Sequence, residues 1–382
     1  MDRNKQKQLI IVLSVMLCAV LALIAVLASM IVQENIPQTV ADSDNSDDGA
    51  VTVTIRAVGD NLIHSPIYNS CKTEDGFNFD GLYRNISPYM KYADIAAINQ
   101  ETIFVDSVEA LSGYPAFGTP VQVGESIVTA GFNVVTHATN HTYDKGEAAI
   151  LHTLDFWERR ENITVLGINK TSGDQQKVTI WQKGGLKIAL LNFTYGLNGA
   201  RLSATKRHLV NILDKSEENV SLLSFAEENA DITLVFMHFG TEYAHKPNKG
   251  QIEDVEFLCR NGADIIIGAH PHVIQPVTEH ISENGNKAVV FYSLGNFISN
   301  QKEVSKIMGG MADITVTKKN GVTTVTNYAM HPTIAHRQNG KYSVYMLGDY
   351  TNELAEKNTL ATELSVDKLQ TLFDEVMKIK VN

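Results

Sequence analysis

Five short polar clusters in this chain could do chemistry together, and each begins where an apolar run stops. Gly59-Asp60-Asn61 ends VTVTIRAVG, and Asn99-Gln100-Glu101 ends ADIAAIN. Thr139-Asn140-His141-Thr142-Tyr143-Asp144 follows NVVTHA. His238-Phe239-Gly240-Thr241-Glu242-Tyr243 closes the run that starts at Asp231, and Gly268-Ala269-His270-Pro271-His272 closes the run that starts at Ala263. Taken singly, most have ordinary readings: an Asp after a strand usually forms an Asx turn or caps a helix, Glu101 suits a solvated loop, and His238 suits a core. His270-Pro271-His272 is harder to absorb, because Pro fixes φ between two imidazoles and Gly268 lets backbone approach a ligand. Taken together, the five clusters supply carboxylates, an amide and three histidines, a mixed oxygen and nitrogen set. Such a set suits Mn²⁺, Fe or Zn²⁺ better than Ca²⁺ or Mg²⁺ alone. Asn61, Asn99 and Asp144 stand beside these groups and either face a substrate or support a ligand. Glu242 and Tyr243 either face a substrate or build a loop, and Asn296 either donates to a bound anion or caps a turn.

These clusters can meet only if the strands that carry them share a sheet edge, which is where α/β proteins bind ligands. Strands are expected at 51–59, 93–99, 133–138, 163–168, 187–195, 231–239, 263–269 and 288–297. Helices are expected at 122–131, 145–160, 215–229 and 249–261. In the last of these, Ile252, Val255, Leu258 and Cys259 share one face, which assigns Cys259 to a core. The alternation implies an α/β fold, and the hairpin signal at Asn320-Gly321 makes its sheets mixed rather than purely parallel. A terminal helix is expected over 353–378.

The chain has 382 residues, 44% of them hydrophobic, and a net charge of −11, so it is neither a disordered polymer nor a binder of phosphate backbones, and no nucleic-acid partner is expected. With cysteines only at 18, 71 and 259, neither a disulfide scaffold nor a CxxC zinc site is open to it. Residues 9–32 hold no charge, and as a helix they would reach roughly 36 Å, enough to span a bilayer. Arg3, Lys5 and Lys7 precede the run, so the positive-inside rule leaves residues 1–8 in the cytoplasm and the main domain outside the cell membrane. The run exceeds the apolar length of a signal peptide and no small-x-small site follows it, which favours an uncleaved anchor over a cleaved leader. Residues 33–50, with Glu34, Asp42, Asp44, Asp47 and Asp48 and no base, read as an acidic flexible linker.

AVGD at 57–60, ADIAAINQET at 93–102, GFNVVTHATNHTYDKG at 131–146, HFGTEY at 238–243, GADIIIGAHPHVIQP at 262–276 and YSLGNF at 292–297 form an ordered series. The series resembles the poly-γ-glutamate capsule biosynthesis (CapA-type) family, which in turn is similar to the calcineurin-like metallophosphoesterases. The resemblance implies a four-layer α/β/β/α sandwich over residues 51–350, followed by a helical extension at 351–382, with a metal centre at the strand ends. It also implies Asp60, Glu101, Asn140, His238, His270 and His272 as the metal ligands and makes His141 the group that protonates a leaving group. The chain departs from the phosphoesterase pattern in lacking Asp-x-His, its nearest histidine being His64, and in carrying Ala269 before His270; hence one or two ions rather than a fixed pair. Two functions follow from the resemblance: a metal-dependent hydrolase in capsule or envelope polymer biosynthesis, or a non-catalytic subunit that holds an anionic polymer such as poly-γ-glutamate for membrane synthase and export partners. No Gly-x4-Gly-Lys-Ser/Thr loop occurs, so ATP-driven polymerisation falls to another protein.

Overall fold

Alternating β-branched residues make Val51–Asn61 a strand (β1) whose Val53, Ile55 and Ala57 side chains are fully buried. The computed structural model describes residues 49–381, so the expected membrane span at 9–32, Cys18 and the linker up to residue 48 lie outside the described residues. Among the described residues no helix is long and apolar enough to cross a membrane.

Beyond β1 the main elements are β2 (Ile95–Asn99), α1 (Gln122–Ala130), β3 (Val134–Thr136), α2 (Gly146–Glu158), β4 (Thr164–Leu166), β5 (Thr179–Lys183) and β6 (Leu186–Thr194). They continue as α3 (Glu217–Asn229), β7 (Ile232–His238), α4 (Lys249–Arg260), β8 (Ile265–Ala269), β9 (Val277–Ile281), β10 (Lys287–Phe291) and β11 (Asn296–Ile298). The chain then runs through β12 (Met308–Lys319), β13 (Val322–Gln338), β14 (Lys341–Met346), α5 (Asn352–Lys357) and α6 (Val366–Met377). One sheet has the order β14-β13-β12-β1-β2-β3-β4 with β11 paired beside β1; the other has the order β9-β10-β8-β7-β6-β5. β1 to β4 are mutually parallel, as are β6, β7, β8 and β10, while β12 to β14, β5 and β9 are antiparallel to their neighbours. The fold is therefore mixed α/β, and the carboxyl ends of two parallel strand sets carry the polar clusters.

Period-two burial joins the two sheets. Ile188 and Leu190 of β6 enter one core with Val53, Ile55 and Ile95 of the first sheet. Ala189, Leu191 and Phe193 face the other way, against Leu223 of α3 and Val255, Leu258 and Cys259 of α4. Cys259 thus sits in the core, as its helical face requires. A capping box between Asn248 and Gln251 starts α4, and Gly131 in the left-handed region (φ 99°) ends α1. Asn320 (φ 53°) and Gly321 (φ 79°) form the two-residue turn between β12 and β13, as the Asn-Gly signal predicts.

Two expected elements are corrected. The strand read over 288–297 is two strands in different sheets, β10 and β11. Between them the chain changes hydrogen-bond partners: Tyr292 N donates to Pro276 O, Leu294 N to Gly268 O, and Gly295 turns at φ 61°. An apolar run reports burial, not which sheet buries it. The helix expected over 353–378 is interrupted, because the buried Asn358 side chain bonds Arg337 N, Leu360 N and Ala335 O and so ties the chain to β13. Ser365 then caps α6, whose Leu369 and Val376 reach the main core.

Candidate metal centre

β1 and β2 pair in register until a shift between Val58 and Asp60 brings Asp60 opposite Asn99. The Asn99 amide donates to Asp60 Oδ1 at 2.8 Å and is itself held by Thr136 Oγ1, which donates to Asn99 Oδ1 at 3.0 Å. Glu101 lies two residues beyond β2, and His238 ends β7 opposite Ala269 of β8, so His270 emerges beside it. His270 (φ 99°) and His272 (φ 58°) both occupy the left-handed region that residues with a Cβ avoid, at a cost of about 1–3 kcal/mol each. Asp60 holds the turn in place: His270 N lies 3.3 Å from both its oxygens, and His272 Nδ1 lies 3.0 Å from Oδ2.

The structure brings Asp60, Glu101, His238, His270 and His272 together. Ligand atoms of Glu101, His238 and His270 lie within 4.8 Å of one another, as do those of Asp60, Glu101 and His272, so Glu101 belongs to both groups. Asn140 joins them through its Oδ1, 2.8 Å from His238 Nε2. All six residues are buried. Glu101 Oε1 lies 3.7 Å from His238 Nε2 and 3.9 Å from His272 Nε2. Neither Glu101 oxygen has a hydrogen-bond partner, nor has His270 Nδ1. Three buried lone-pair donors without protons to accept are what a cation would satisfy. The residues fit a divalent ion, and the donor chemistry admits manganese, iron or zinc.

The electrostatics agree. Burial, and then the Asp60 charge, push the Glu101 carboxyl well above the usual range. Burial also lowers His238 well below normal, followed by repulsion from His270 and His272. Burial and then His272 bring His270 down to about 4. Burial opposes protonation of His272 too, but Glu101 and the Asp60 hydrogen bond prevail and hold it up at about 9.

The remaining expected residues divide. His141 Nδ1 lies 2.7 Å from Asp144 Oδ2, and Asp144 also accepts from Phe117 N at 2.7 Å. The Phe117 ring stands edge-on to His141, with centroids 4.7 Å apart. Asn99 supports Asp60, as described. Asn61 instead turns into the interior, donating to Gln100 Oε1 at 2.6 Å and accepting from Tyr83 at 3.0 Å. Tyr243 (φ 65°) is 46% exposed and its ring lies 6.1 Å from that of His272. Burial, and then neighbouring Glu242, which is exposed, push the Tyr243 hydroxyl up to about 12. Asn296 is buried, and its amide reaches His272 O, Gln301 Oε1 and Lys306 O. His64 lies beside Phe117, not among the ligands.

Two residues escape the sequence reading. Asn198 places its amide nitrogen 3.4 Å from His141 Nδ1 and accepts from Asn140 at 3.0 Å, and the Tyr195 ring lies tilted at 46° to that of His270 with centroids 4.8 Å apart. Both follow the end of β6, a sixth polar cluster at a strand end that the same rule would have selected.

The class that these observations define is a mixed α/β protein with a buried carboxylate and histidine centre able to hold a metal ion. Residues 54–301 match the family described as bacterial capsule synthesis protein PGA_cap, and the chain belongs to that family. It is 30% identical over 230 residues to the PGA biosynthesis protein CapA of Bacillus subtilis, the match covering 58% of this chain and 57% of that protein. It is 27% identical over 235 residues to the capsule biosynthesis protein CapA of Bacillus anthracis, covering 59% and 55%. The chain therefore spans little more than half the length of these relatives. Among solved structures it is similar to the calcineurin-like phosphoesterase YfkN of Bacillus subtilis, at 15% identity, TM-score 0.43, and 86% and 98% coverage of the two chains. It is also similar to the NAD nucleotidase of Haemophilus influenzae, at 11% identity, TM-score 0.44, and 85% and 60% coverage. Both overlaps are too loose to carry chemistry across.

Proposed function

We propose that this member of the capsule synthesis family is a metal-dependent hydrolase of the metallophosphoesterase type, with a four-layer α/β/β/α core. It acts on an anionic envelope polymer such as poly-γ-glutamate or on a phosphoester, anchored by residues 9–32 with its main domain outside the cell membrane. The observation that carries the reading is the convergence of Asp60, Glu101, His238, His270 and His272 around buried donor atoms without hydrogen-bond partners.

Asp60, Glu101, Asn140, His238, His270 and His272 would hold the ion or ions, with Glu101 shared. When bound, the metal lowers the pKa of a coordinated water and polarises a phosphoryl or acyl oxygen. His141 does the proton chemistry. Asp144 Oδ2, 2.7 Å from Nδ1, sets the ring orientation, and in the doubly protonated imidazole Nε2 is then the atom that gives a proton to the departing group. Phe117 and the burial of His141 keep bulk water from that proton. Asn99 and the His270 backbone fix the Asp60 carboxylate before any ligand arrives.

The test is metal content with turnover. The full chain, purified in detergent, should carry manganese, iron or zinc and hydrolyse p-nitrophenyl phosphate or polyglutamate. His141→Ala should cost about 10²–10⁴-fold in turnover while metal content holds. If that variant leaves both activities and cellular polymer yield unchanged while deletion of the chain abolishes the polymer, hydrolysis is refuted and a scaffold for synthase and export subunits stands instead.

A further inference from the structure

The crossover from β10 to β11 leads into a segment that returns to Tyr243, whose ring neighbours that of His272. Asn296 on β11 bonds Gln301, and Gln301 donates to the Tyr243 hydroxyl at 3.3 Å. Tyr243 is pinned from the other side, its backbone N–H donating to Pro271 O at 2.7 Å. The segment then passes through Glu303, a residue with a Cβ held at φ 88°, and enters the short helix Val304–Ile307. That strained entry sets Lys306 with its ammonium 4.1 Å above the centre of the Tyr243 ring, and that ring lies 6.1 Å from the His272 ring. The Lys306 side chain is only 19% exposed, whereas its ion-pair partner Glu303, at 3.2 Å, is 68% exposed. An exposed partner of this kind holds a cation weakly and is readily exchanged.

We propose that Lys306, positioned over Tyr243, binds a second oxyanion of the substrate while the scissile group sits at the metal centre. The inference rests on the hydrolase reading and deepens it, since it makes the substrate a molecule with at least two negative groups a short distance apart. Three features fit. The ammonium sits on a rigid aromatic platform beside the centre rather than on a free surface arm. Two left-handed residues that are not glycine, Tyr243 and Glu303, are spent on placing it. The Gln301 amide on the Tyr243 hydroxyl and the Pro271 carbonyl on the Tyr243 N–H hold that platform from two sides. Glu303 closes the Lys306 charge in the free protein and would give way to the ligand.

Carboxylate and phosphate share this chemistry, so two probes separate them. The manganese-loaded full chain in detergent is titrated calorimetrically with tri-γ-glutamate and with propane-1,3-diphosphonate, which cannot be hydrolysed. Wild type should bind one of them, and that probe identifies the source. Lys306→Gln should weaken binding about tenfold and flatten its salt dependence, Lys306→Arg should restore most of it, and Glu303→Gln should tighten it about two- to fivefold. Opposite signs for the two neutralising variants are the signature, because a purely structural ion pair would make both lose melting temperature and leave both affinities alone. Equal or unchanged affinities in the two variants overturn the subsite. So does a chain that takes up manganese but binds neither probe. Manganese stoichiometry in the same samples reports separately on the metal reading.

Discussion

Replacing Glu101 by Gln should stabilise the metal-free protein and at the same time remove its response to metal. The Glu101 carboxyl is 1% exposed, neither oxygen has a hydrogen-bond partner, and burial with Asp60 holds it well above the normal carboxyl range. Gln keeps the shape and the unpaired polar atoms but carries no charge to desolvate, so its advantage is the ionisation penalty alone, about 1–3 kcal/mol, which for a domain of this size is roughly 1–4 °C in melting temperature. The pH dependence has a definite sign. A carboxyl whose folded pKa is raised favours the folded state fully below its unfolded value near 4.5, and loses that contribution as pH rises towards the folded pKa. The advantage of Glu101→Gln should therefore vanish at acid pH and grow through pH 5 to 8. Metal has the opposite effect. Manganese at a hundred times its Kd stabilises wild type by about 2.7 kcal/mol, and loss of the ligand common to both donor groups should reduce affinity by more than the roughly 10–100-fold seen for supporting residues. Thermal melting in EDTA and across a manganese titration, at pH 4.5 and pH 7.5, reads all of this. If the variant melts below wild type in EDTA at pH 7.5, or keeps the full manganese shift, Glu101 is not a buried carboxylate awaiting a cation and the assignment of the centre fails.

Asp144→Asn should lower turnover about 10–100-fold with metal content unchanged, since the Asp144 carboxylate orients the His141 ring from 2.7 Å; steady-state kinetics beside metal analysis decides it. Asp264 tests burial far from the centre: half-buried and accepting from Thr233 N at 2.8 Å, its carboxyl is pushed up to about 6 by desolvation. Its contribution to stability is full below pH 3.8 and lost as pH rises through 6, so Asp264→Asn should gain up to about 3 kcal/mol over wild type at pH 7 and nothing at pH 3.5, read as melting temperature against pH. Gly59→Ala would drive a Cβ into the Gly295 carbonyl oxygen where β1 meets β11, and should cost more than about 4 kcal/mol, read as lost soluble yield or a collapsed melting temperature.

The amino-acid pattern alone determined the mixed α/β class, the positions of most strands, the core role of Cys259, the turn at Asn320-Gly321 and the polar clusters at strand ends. These are local properties: β-branched alternation, helical spacing and turn chemistry act within about ten residues, and a strand end is visible wherever an apolar run stops. Which clusters meet was not local. Asp60 and Asn61 are neighbours, yet successive side chains on a strand point oppositely, so one enters the donor group and the other the Gln100 and Tyr83 interior. The pairing of β1 with β2 and of β7 with β8, the register shift at Asp60, and the division of 288–297 between two sheets arise from contacts between residues far apart in the chain. Asn198 and Tyr195 beside His141 and His270, and Lys306 over Tyr243, follow from the same packing, because the sequence pattern states what is buried while only the tertiary arrangement decides what it is buried against.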